Sequence, residues 1–116
     1  MFLYRQKDIV LVPFPFTNAT TAKQRPVLIV SSDEINQSST EDFIGLAVTS
    51  VLHGSKYSIA ITSNDCEKGC LPKESEIQCN KIATIQKDLT LKKICTLKQS
   101  VYQKVVDKIK QSLHIK

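Results

Sequence analysis

Glycine is scarce in this chain of 116 residues: there are three, at Gly45, Gly54 and Gly69. No G-x-G-x-x-G turn and no Walker loop can be built from glycines so far apart, and no G-x-S-x-G elbow occurs. A backbone cradle for ATP or NAD, and a serine-hydrolase elbow, are therefore excluded. Long apolar runs are also missing. None approaches the ~18 residues a membrane helix needs. The opening "MFLYRQKDIV" lacks the basic, apolar and small-residue succession of a secretory leader. The four cysteines form no C-x-x-C knuckle, since three residues separate Cys66 from Cys70 and fifteen separate Cys79 from Cys95. A zinc ribbon needs two such knuckles, and His53 and His114 stand isolated, so neither a metal nor any other cofactor is expected. An unsignalled chain is expected in a reducing cytoplasm, with its thiols free and with Cys79 and Cys95 packed among apolar neighbours.

What is present suits one soluble domain spanning residues 1–116, with 41% hydrophobic and 23% charged residues. The formal net charge is +5. Much of the excess lies late, in Lys81, Lys87, Lys92, Lys93, Lys98, Lys104, Lys108, Lys110 and Lys116. Such a distribution fits a polyanionic partner and equally a solvated lysine-rich face.

Apolar alternation and β-branched content predict strands over residues 8–12, 25–32, 43–51, 57–63 and 76–85, the last with a break near Asn80. Pro13 and Pro15 are expected to end the first strand and Pro26 to mark the first position of the second, because proline cannot donate to a ladder. Residues 13–24 read as a loop of about a dozen, long enough to be functional. A short helical turn is expected from Ser32 or Asp33, and residues 64–75 read as turn. Val101, Val105, Val106, Ile109 and Leu113 recur at helical spacing, and Thr96 with Gln99 reads as a capping box. Five short strands followed by an amphipathic helix predict a mainly β protein, a small curved barrel closed by a helix.

Arg25 then stands at a strand's rim in "AKQRPVLIV", and Thr49 and Ser50 end the apolar strand "LAVTS". Those hydroxyls could cap their own backbone. If the two strands are neighbours, they face the guanidinium, whose planar donors match two phosphate oxygens.

The blocks "DIVLVPFPFT", "QRPVLIVSSD", "LAVTS" and "SEIQCNKIATI", followed by a terminal helix, resemble the MazF/PemK-type toxins in that order over nearly the whole chain. The resemblance implies an SH3-like barrel, a homodimer and a ribonuclease paired with a cognate antitoxin. It implies metal-independent cleavage of single-stranded RNA, in which a ribose 2′-hydroxyl attacks the adjacent phosphate and leaves a 2′,3′-cyclic phosphate and a 5′-hydroxyl. Contact with DNA is implied only through an antitoxin, and none with a membrane. Arg25 and Thr49 match the family's active-site arginine and threonine. Phe16, Thr17, Gln24, Ser50, His53, Gln78 and Asn80 are expected along the substrate groove. His53 reads either as an acid–base group, since imidazole exchanges protons near neutrality, or as a solvated loop residue.

The chain departs from the family in three places. Lys7-Asp8 stands where a glycine usually precedes the acidic residue, Gln24 where histidine sometimes precedes the arginine, and Gln78 and Asn80 where some members carry charged residues. A non-catalytic binding module and a gyrase-poisoning toxin of the same fold remain the alternatives. Cleavage of long single-stranded RNA in EDTA separates them.

Overall fold

The computed structural model describes residues 2–14 and 23–115. Phe16 and Thr17 thus lie outside the described residues. Seven strands form one antiparallel sheet: β1 (Asp8–Phe14), β2 (Lys23–Ile29), β3 (Asp42–Thr49), β4 (Ser58–Ile61), β5 (Cys66–Gly69), β6 (Ser75–Gln86) and β7 (Lys92–Leu97). Their order across the sheet is β4-β6-β3-β2-β1-β7-β5, and the sheet curls into a half-barrel. A single-turn helix, α1 (Asp33–Asn36), follows β2, and α2 (Gln99–Leu113) closes the chain.

Alternation along the strands builds two cores, one on each face. Ile9, Leu28, Leu46, Val48, Ile77, Cys79, Cys95 and Leu97 share the face covered by α2, which adds Val101, Tyr102 and Val105. Val10, Val12, Val27, Ile29, Phe43 and Ile85 form the other cluster, under Phe2 and Tyr4. Val106 and Ile109 pack on the first core as the helical spacing predicts, whereas Leu113 is 52% exposed. Cys79 and Cys95 are buried as expected, and all four cysteines are free. Burial pushes the Cys79 thiol up to about 11 and Cys95 higher still.

Several local readings are corrected. The described residues form seven strands rather than five, because β5 lies in a segment that reads as turn and β7 in one given no element except the capping box expected at Thr96. β1 continues through Pro13, and Pro26 is the fourth residue of β2. The recorded β2–β3 pairing runs from Val27 to Ile29, so Pro26 lies where β2 is laddered to β1 through Leu11 but not to β3. The capping box is not formed. Thr96 belongs to β7, and its hydroxyl donates to the buried Asp8 carboxylate at 2.7 Å, while Lys98 is the N-cap of α2 without a side-chain bond. The turn at Ser32 does form, its hydroxyl accepting the Ile35 N–H at 3.3 Å.

Candidate phosphodiester site

β2 and β3 pair antiparallel with Val27 opposite Ala47, Leu28 opposite Leu46 and Ile29 opposite Gly45. Continued two residues past the recorded pairing, this register sets Arg25 on the side of Thr49, and both residues line the same groove. Alternation then places both on the face of Val27, away from α2. Arg25 is exposed and Thr49 half-buried.

β6 completes the site by breaking its own regularity. Leu46 pairs with Ile82 but Val48 with Ile77, so five steps of β6 run beside two of β3. This bulge falls where a break near Asn80 is expected. Bulges re-aim side chains, and here Gln78 and Lys81 join Arg25, Pro26, Val27, Ala47, Val48, Thr49, Val51 and His53 around an open groove of about 420 Å³. Among the expected site residues, the groove therefore gathers Arg25, Thr49, His53 and Gln78. Gln24, Ser50 and Asn80 are exposed and do not line it.

The Thr49 hydroxyl accepts the Val51 N–H at 3.1 Å. The local backbone bond is thus real, yet it uses a lone pair and leaves the hydroxyl hydrogen free to donate. Among the described residues neither Arg25 nor Lys81 is held in a salt bridge, so both cations face the groove without a carboxylate partner.

Two contributors escape the sequence reading. Lys81 brings a second cation. Glu76 lies on β6 between Thr49 of β3 and Ala60 of β4. It is 2% exposed, and its Oε2 accepts the N–H groups of His53 at 3.0 Å and Gly54 at 2.9 Å. The Gly54 N–H is the main cause holding this carboxyl below the usual carboxylate range. Burial opposes it, while the Ser58 side chain, the His53 N–H and the imidazole add to it. The i, i+2 pair Glu76 and Gln78 was the available signal. A cleft of about 460 Å³ lies elsewhere, around Phe2 and Lys87, but there the ammonium is already spent on the carbonyls of Ile35 and Ser38. No group of three or more potential metal-ligating side chains is gathered among the described residues.

Residues 5–113 match the family of PemK-like, MazF-like toxins of type II toxin–antitoxin systems. No curated protein matches the chain by sequence. Among solved structures, the chain is similar to a mycobacterial endoribonuclease in complex with its cognate antitoxin. Their identity is 16%, the TM-score 0.78, and 97% of each chain is covered. It is similar to the Mycobacterium tuberculosis toxin MazF-mt6 at 17% identity and a TM-score of 0.76, covering 94% of this chain and 98% of that one. It is also similar to MazE-MazF from Deinococcus radiodurans, at 15% identity and a TM-score of 0.79, covering 99% of this chain and 100% of the other. These likenesses establish the fold, and the family match spans the sheet, the groove and the closing helix alike. The chain belongs to the MazF/PemK-like toxins of type II toxin–antitoxin systems.

Proposed function

We propose that this toxin is a metal-independent endoribonuclease that cuts single-stranded RNA by internal attack of a ribose 2′-hydroxyl on its own phosphate. The observation that carries the reading is that Arg25 of β2 and Thr49 of β3 line one groove, with no carboxylate among the described residues that line it. A phosphorane gathers negative charge on its non-bridging oxygens. A guanidinium fixed at a strand end and a hydroxyl whose lone pair is already engaged are both donors aimed at such charge. Arg25 remains protonated and stabilises that charge, while Thr49 donates to the same phosphate. Lys81 supplies a second positive charge along the backbone. His53, in the same groove, is the candidate group for proton transfer. The reaction needs no external nucleophile, and its products are a 2′,3′-cyclic phosphate and a 5′-hydroxyl.

The partners follow from the same reading. A MazF-family chain is expected to be held by a cognate antitoxin, as two of the related structures are. An acidic segment of that antitoxin, laid on the basic groove, competes with RNA. The toxin is expected to act as a homodimer in the cytoplasm.

The decisive experiment incubates the purified chain with long single-stranded RNA in EDTA and identifies the new ends. Cyclic phosphate and 5′-hydroxyl ends are expected, with a single 2′-deoxyribose at the scissile position blocking the cut. Arg25→Ala should lower the rate on the order of 10²–10³ while the protein stays folded. Arg25→Lys should rescue little, because an ammonium lacks the two-pronged geometry. A requirement for magnesium, or wild-type cleavage by a folded Arg25→Ala chain, would remove the assignment.

A further inference from the structure

We propose that Glu76 is a positioning residue of this groove: its buried carboxylate latches the loop of residues 51–54 by the backbone, and so sets Val51 and His53 along the groove wall. The inference rests on the nuclease reading for its consequence, but not for its geometry. The loop connects the end of β3 to β4, and its residues are exposed. It is pinned at two points. Near its start the Val51 N–H donates to the Thr49 hydroxyl, and at its far end two successive N–H groups, of His53 and Gly54, converge on one oxygen of Glu76. Gly54 has a φ of 63°, which turns its N–H inward beside that of His53. Val51 and His53, the residues so placed, are two of those lining the groove.

A carboxylate close to a phosphate site is otherwise a liability, since it repels the substrate it lies near. Two backbone donors absorb much of that charge. Oε1, the other carboxylate oxygen, is buried with no hydrogen-bond partner. Leaving a buried oxygen unpaired is costly, so the anchoring of this carboxylate falls to the two N–H groups on Oε2, with the Ser58 side chain beside it. Glu76 is not among the residues that line the groove, which separates its role from that of Arg25 and Thr49. It acts on substrate only through the loop.

The test uses the full chain with Glu76→Ala and Glu76→Gln, reading amide hydrogen exchange at His53 and Gly54 alongside steady-state cleavage of single-stranded RNA. In Glu76→Ala the two amides should exchange about tenfold faster or more. kcat/KM should fall about tenfold, because the released loop carries both Val51 of the groove wall and His53, the candidate proton-transfer group. Glu76→Gln should fall between alanine and wild type, because its amide oxygen still accepts while the charge is gone. If alanine prevents folding, glutamine alone decides: faster exchange confined to the loop, with core amides unchanged, supports the latch. Unchanged exchange at His53 and Gly54 overturns it, as does an unchanged kcat/KM in a variant whose two amides exchange faster. Should wild type cut no RNA, the nuclease reading fails by itself, and the exchange at these two amides still decides the latch.

Discussion

Lys7 occupies the left-handed region at a φ of 82°, a conformation that favours glycine. A side chain there costs ~1–2 kcal/mol, and the backbone cannot relax easily. The Lys7 N–H donates to the Ile29 carbonyl and its own carbonyl accepts from Leu97, each at 3.0 Å, tying β2 to β7 through one residue. Lys7→Gly should therefore stabilise the fold by about 0.5–1 kcal/mol, after allowing for the added freedom of the unfolded chain. A lower urea midpoint for that variant would defeat the strain argument. Glu76 carries the opposite kind of prediction. Its carboxyl is held below its ordinary 4.5 in the folded state, chiefly by the Gly54 N–H. The ionised form thus favours folding above that ordinary value, and the contribution disappears as pH falls through the lowered folded one. Acidification from about pH 5 should cost wild type more stability than Glu76→Gln, and parallel stability curves for the two would contradict it.

Among the secondary-structure elements, β5 is the weakest of the strands. It has four residues, CEKG, largely exposed, paired only with β7 at the sheet's edge. It closes on Gly69, whose φ is 74° and where a Cβ would come 2.5 Å from the Ile94 carbonyl oxygen. Gly69→Ala should destabilise the protein by about 1–3 kcal/mol, visible as a lowered midpoint with faster exchange at β5 and β7. An unchanged midpoint would show that the edge yields without cost. These same two strands are the ones hidden in the sequence. A polar tetrapeptide between turn residues carries no period, and in "KKICTL" the Thr96–Gln99 spacing mimicked a helix start while Thr96 was committed to Asp8 across the sheet. The strands with apolar runs, the turn at Ser32 and the closing helix were legible because their patterns answer to local burial. Arg25 and Thr49 were legible because each ends such a run. Lys81 was not, since only the bulge in β6 turns it to the groove, and Glu76 was signalled only by its i, i+2 spacing to Gln78, since its partners are backbone groups of a loop more than twenty residues away.

The molecule as a whole carries a formal charge of +5, and its groove adds Arg25 and Lys81 to one open surface. RNA affinity should fall linearly on a log–log plot as salt rises, through counterion release, and a flat response would deny the backbone any part in binding. For the proposed homodimer, sedimentation at micromolar concentration should give about twice the 13.0 kDa of one chain. A fully active monomer would defeat a groove shared between subunits, though not Arg25 and Thr49. The separation of the two cores has a further consequence. One face of the sheet is committed to the closing helix, while the groove opens at the strand ends, with Val27 and Val48 of the two cores in its floor and polar residues on its rim. The groove therefore divides into a floor that folding requires and a rim that it does not. Gln78, Lys81 and Val51 belong to the rim, outside both cores, so substitutions there can alter what the groove meets while leaving the packing of the sheet in place.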